Sequence, residues 1–123
     1  MGKELLVVLE TEKNLDEARE ICKQFFLSQE YEVVGEASEL MVFKGGDFLW
    51  TVLGTYRWHK IVKTITVSFQ KSDKKLRIKL NYDVSRLATT FSLIRSAKHE
   101  IEGIRKKLDA KIIEIKEKRS FIK

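Results

Sequence analysis

Few side chains in this sequence stand at a spacing that chemistry could use. There are two histidines, His59 and His99, and one cysteine, Cys22. His99 and Glu102 are three apart, a helical spacing that could hold a metal ion weakly. No third ligand follows at a useful distance, so no metal site is expected. Cys22 recurs in phase with apolar neighbours and reads as a small core residue rather than a nucleophile. Lys44-Gly45-Gly46-Asp47 lacks the G-x-x-x-x-G-K-[ST] spacing of a phosphate loop. No G-x-S-x-G, C-x-x-C or H-E-x-x-H run occurs. The expectation is therefore a chain that is not an enzyme, with no catalytic residues and no cofactor.

Binding chemistry is better represented. Between Phe48 and Lys63 lie Phe48, Leu49, Trp50, Val52, Leu53, Tyr56 and Trp58, which include both tryptophans of the chain. Arg57, His59, Lys60 and Lys63 accompany them, and the nearest acid is Asp47 at the border. Aromatic rings beside cations suit a membrane interface, an acidic amphiphile or a protein hot spot. Trp50, Tyr56, Arg57, Trp58, His59, Lys60 and Lys63 are the candidate partner-binding residues. The alternative is an ordinary strand whose aromatics close the interior of a small domain.

Charge is uneven along the chain. The formal net charge is +6, yet residues 1–55 carry eleven acids against five bases, while residues 56–123 carry nineteen bases against seven acids. A basic half can point to an anionic partner. It can equally lie beside the acidic half in the fold and be neutralised there. Where the bases fall decides between the two: one continuous positive face favours nucleic acid, and scatter favours another kind of partner.

The elements that must position these residues follow from hydrophobic periodicity. Leu5 to Leu9 is a continuous apolar run of strand length. Asn14 is a helix N-cap with Glu17 three positions on, followed by Leu15, Ala18, Ile21, Cys22, Phe25 and Phe26 at helical spacing, ending near Ser28. Tyr31 to Val34 and Leu40 to Phe43 read as short strands joined by a tight connection. Gly45-Gly46-Asp47 breaks the chain, and Phe48 to His59 is open between strand and loop. Ile61 to Gln70 and Leu76 to Val84 alternate strictly, with a polar turn at Lys71-Ser72-Asp73-Lys74. This predicts an antiparallel hairpin with Ile65, Val67, Ile78 and Leu80 inside and Arg77 and Lys79 on a wet basic face. Ile94, Ala97, Ile101, Ile104, Leu108, Ile112 and Ile115 step by three and four within a stripe about 80° wide, which predicts a long helix from about Thr90 to Lys116. Gly103 falls off the stripe.

These elements predict one α+β domain spanning 1–123. It has an antiparallel sheet of about five strands in the order β-α-β-β-(β)-β-β-α, with a long C-terminal helix packed on one face. That order is similar to one repeat of the TATA-box-binding-protein-like fold and to a reduced helix-grip fold, in which a C-terminal helix crosses a curved sheet. The resemblance is one of element order and brings no binding residues with it. A second resemblance is to uncharacterised small prokaryotic α+β domains. It rests on Val42-Phe43-Lys44-Gly45-Gly46, then Lys63 to Phe69, then Tyr82-Asp83-Val84 before a helix, about the middle third of the chain. It implies no established activity.

The single cysteine and the lack of a signal-like start fit a cytoplasmic protein. No apolar run approaches the roughly 18 residues that a membrane span needs. The function expected is a binding module whose segment 48–63 takes a protein, an apolar ligand or a membrane surface. The alternative is a nucleic-acid-binding domain that uses the basic second half. The apolar stripe of the last helix exceeds what a small sheet covers. Either its C-terminal end pairs with a second copy as a homodimer, or the first helix shares the coverage in a monomer.

Overall fold

A computed structural model describes residues 2–47, 58–84 and 93–120. The order is β1 (Gly2–Thr11), α1 (Leu15–Ser28), β2 (Glu32–Ala37), β3 (Leu40–Gly45), a short 3₁₀ turn (Trp58–Lys60), β4 (Lys63–Ser72), β5 (Lys75–Val84), α2 (Leu93–Leu108) and β6 (Lys111–Ser120). The six strands form one antiparallel sheet in the spatial order β2-β3-β4-β5-β1-β6. The molecule is thus α+β, with both helices against one face of the sheet.

The β4–β5 hairpin forms as its alternation requires. Val67 lies opposite Leu80 and Ile65 opposite Tyr82, around a two-residue turn at Asp73-Lys74. Ile65, Val67, Ile78 and Leu80 are all fully buried, and Arg77 and Lys79 are exposed. β1 inserts beside β5 and contributes Leu5, Val7 and Leu9 to the same buried layer. α1 starts at Asn14, whose side chain accepts from the Glu17 N–H at 2.8 Å, and it buries Ala18, Cys22 and Phe26. Phe26 stacks edge-on to Tyr31 and tilts against Phe43, which joins α1 to β3.

The last part of the chain departs from the helical expectation. α2 ends at Leu108, and Ile112 and Ile115 belong to an edge strand, β6, paired with β1. The stop is a Schellman turn: Asp109 takes φ 49, the Ala110 N–H bonds the Arg105 carbonyl, and the Asp109 N–H bonds the Lys106 carbonyl. The turn holds an aspartate where glycine is usual, so no breaker marks it in the sequence. α1 ends in the same way, with Glu30 at φ 70 and the Tyr31 N–H on the Phe26 carbonyl. A strand after the last helix also departs from the TATA-box-binding-protein-like and helix-grip orders, and it makes six strands rather than five. On α2, Glu102 pairs with Arg105 three residues on, at 2.9 Å.

Two polar contacts fix α2 to the sheet. The buried Thr11 hydroxyl donates to the Leu108 carbonyl at 2.7 Å, at the helix C-terminus. Glu117 of β6 accepts from the Ile94 N–H at 3.1 Å at the opposite end and pairs with Lys3. A carboxylate at a helix N-terminus is favoured by the helix dipole. Gly103 lies where α2 meets α1: a Cβ there would come 2.9 Å from the Phe25 ring.

Candidate functional site

The base of the aromatic–basic segment is built by β3, the 3₁₀ turn and β4. Gly46 has φ 97, and a Cβ there would fall 2.2 Å from the Ile61 carbonyl oxygen, so only glycine fits. A Cβ on Gly45 would meet the Tyr31 ring at 2.7 Å. Just beyond, the Asp47 N–H donates to the Lys60 carbonyl at 2.9 Å. The chain therefore leaves the sheet at Asp47 and is held against Lys60 where it returns. Trp50, Tyr56 and Arg57 lie outside the described residues, as does the side chain of His59. Trp58 and Lys60 are half-buried.

Lys63 is placed differently from a surface cation. It occupies the inward phase of β4, between Ile61 and Ile65, and is 1% exposed. Its ammonium donates to the carbonyls of Trp58 and Ile61, at 2.5 and 3.1 Å, and lies 4.4 Å from the Trp58 ring centre and 5.2 Å from that of Tyr31. Burial lowers its pKa from 10.5 to about 8, and the nearby Glu100 charge opposes that fall. Among the described residues its contacts are all directed inward, so its charge is not presented at the surface.

Glu100, on α2, is the acid of this cluster, and it is buried. The Tyr31 hydroxyl donates to both of its oxygens at 3.1 Å. The Tyr82 hydroxyl and the Trp58 indole N–H favour the same carboxylate but fall outside hydrogen-bond geometry with it. Burial raises the Glu100 pKa, while Tyr82, Lys63, Tyr31 and Trp58 pull it back. Burial and the Glu100 charge also push both tyrosines above their ordinary value. The Trp58 and Tyr82 rings lie 5.7 Å apart and close the cluster. Beside it opens a groove of about 370 Å³ lined by Glu30, Glu32, Lys44, Gly45, Gly46 and Val62.

Tyr31, Tyr82 and Glu100 were not among the residues expected at the site. The signal was available in part. Tyr82 alternates in phase with Leu80 and Val84, Lys63 alternates with Ile61 and Ile65, and Glu100 borders the apolar stripe of α2. Cys22 is buried elsewhere in the core, where desolvation pushes its thiol up to about 12, and His99 is exposed.

Among the described residues, acids stand between the bases of the sheet. β1, from the acidic half, lies between β5 and β6 of the basic half. Glu10 pairs with both Lys75 and Arg77, at 3.5 and 3.4 Å, so the basic face expected at Arg77 and Lys79 carries an acid within it. Glu36 likewise takes Arg19 and Lys23. No helix among the described residues is long and apolar enough to cross a membrane.

No protein-family model and no curated protein matches the chain. In structure it is similar to a protein assigned as a glycine cleavage system transcriptional repressor, at a TM-score of 0.49 and 13% sequence identity. The likeness covers 97% of this chain and 48% of that one, so the chain spans about half the length of that structure.

Proposed function

We propose that this chain is a non-enzymatic binding module that takes an apolar or amphiphilic partner through residues 48–63. The observation that supports it is the anchored base of that segment. The Asp47–Lys60 hydrogen bond joins the chain on the two sides of residues 48–57, and Lys63 is held by two carbonyls beside two rings. An anchored base limits the ordering cost that a binding segment carries on association. The segment then offers Phe48, Leu49, Trp50 and Tyr56 with Arg57, a composition suited to an apolar partner bordered by negative charge. The nucleic-acid alternative has less support, because Glu10 pairs with Lys75 and Arg77 on the strand face expected to be basic.

Tryptophan emission tests this reading. Trp58→Phe leaves Trp50 as the only reporter. Its emission is expected to move to the blue on adding vesicles of phosphatidylglycerol and phosphatidylcholine, and less with phosphatidylcholine alone. Quenching by single-stranded or duplex DNA, with a steep salt dependence, would move the nucleic-acid alternative ahead. A reporter that is already blue, resists quenchers and ignores every additive would place Trp50 in the core and end the proposal.

A further inference from the structure

The free side of β6 carries a feature independent of the aromatic–basic segment. β6 is an outermost strand of the sheet, and among the described residues nothing pairs with its outer side. Long exposed edges are normally kept polar, because their unpaired N–H and C=O groups accept any passing strand. Six of the ten residues of this strand are charged, yet it also exposes Ile113 and Ile115, at 42% and 39%, and Ile94 of α2 is exposed at 40%. Ile94, Ile101, Ile112 and Ile115 line a groove of about 470 Å³ between α2 and the edge.

We infer that β6 is a self-pairing edge: a second copy of this chain adds to it antiparallel, about a twofold axis through Ile115. The sequence of the strand picks both the occupant and the centre. In an antiparallel pair made by a twofold, each residue faces the one equally far on the other side of the axis, and directly opposed side chains share a face. Centred on Ile115, Glu114 of each copy faces Lys116 of the other, which makes two reciprocal charge pairs. Both residues lie on the face away from the helices, since their β1 neighbours are Val8 and Leu6. Ile115 faces itself on the helix side, where its β1 neighbour is the buried Val7, and so the two apolar grooves meet at the axis. A centre at Glu114, Lys116 or Glu117 sets like charges against each other on the axis. A centre at Ile113 leaves Glu114 and Lys116 opposite Ile112 and Ala110. Of these centres, only Ile115 opposes Glu114 to Lys116 with no like charges on the axis; farther out, Lys111 then stands opposite Arg119 near the strand ends. The result is a continuous sheet of twelve strands.

Sedimentation of the full chain up to about 200 µM tests this, because a functional self-association should appear within that range. A dimer is expected. Glu114→Lys alone and Lys116→Glu alone should each weaken it about tenfold, since each turns two attractive pairs into repulsive ones. The double variant Glu114→Lys/Lys116→Glu should restore it, because the pairs are then re-formed with their signs exchanged. Ile115→Lys should give a monomer with an unchanged circular dichroism spectrum, because the residue is already partly in solvent. A wild-type chain that stays monomeric overturns the inference. So does a dimer indifferent to the single reversals, or one that the double reversal fails to restore.

Discussion

Lys63 and Glu100 share one buried cluster without forming an ion pair. The ammonium gives its hydrogens to the carbonyls of Trp58 and Ile61 and lies beside the Tyr31 and Trp58 rings, and the carboxylate takes the Tyr31 hydroxyl. Each charge nevertheless lowers the cost of burying the other. A buried charge left without its counterpart is expensive, whereas removing both is often tolerated.

Coupling between the two residues should therefore be measurable at a distance. In a double-mutant cycle with Lys63→Met and Glu100→Gln, each single change is expected to destabilise the fold. The double variant should be less destabilised than the sum by about 1–2 kcal/mol. Glutamine keeps an acceptor for the Tyr31 hydroxyl, so the cycle reads charge rather than a lost hydrogen bond. Urea denaturation gives the four values. Additivity within about 0.3 kcal/mol would show that the two charges do not sense each other.

The same cluster gives stability a pH dependence with a defined sign. The pKa of Lys63 is lowered from 10.5 to about 8 in the fold. Between those values the unfolded chain binds more protons, so this contribution grows as pH rises, and it is lost as pH falls through about 8. Glu100 runs the other way. Its folded value is raised, so its contribution is present in acid and is lost as pH climbs through that value. Cys22, Tyr31 and Tyr82 are also raised, and they oppose Lys63 in alkali. Comparison with Lys63→Met cancels their effect. Relative to that variant, the wild type should gain about 1 kcal/mol between pH 7.5 and pH 9. A constant gap across that range would mean that Lys63 keeps its ordinary acidity.

Much of this cluster was legible as burial before it was legible as a site. The strict alternation of β4 and β5 puts Lys63 and Tyr82 in the inward phase, and both are inward. Glu100 is harder to see, because it only borders the stripe of α2, and its partners Tyr31 and Lys63 are brought to it by the sheet. Of the residues singled out for their type, Trp58 and Lys63 pack against each other, with the ammonium 4.4 Å from the indole centre. The sequence pattern of β6 resembles helix because Ile104, Leu108, Ile112 and Ile115 keep a helical step across the turn at Asp109. The same isoleucines serve a strand equally well, since Ile112 and Ile115 straddle a bulge opposite Val8 and Leu9.

The hairpin register predicts a severe response at Ile78. The residue is fully buried on β5, opposite Phe69 of β4 and Leu9 of β1. Ile78→Lys places an unpaired charge in that layer, at a cost of several kcal/mol, roughly the whole stability of a domain this size. Loss of the far-ultraviolet strand signal at room temperature is the expected result, and a melting temperature unchanged from wild type would refute the register.

The turn at Asp109 decides between the two readings of the chain's last part by the sign of one substitution. Asp109 stands at φ 49, a left-handed conformation that disfavours a side chain and suits glycine. Its own N–H and that of Ala110 close the Schellman turn, and glycine would keep both bonds. Asp109→Gly is therefore expected to stabilise the protein, by about 0.5–1 kcal/mol. If one helix ran from about Thr90 to Lys116, the same change would place glycine in a helix interior and destabilise by a similar amount. Urea denaturation of this single variant separates the two. An increase in midpoint supports a strand after a capped helix, and a decrease returns Ile112 and Ile115 to the helical stripe and removes the edge on which the dimer depends.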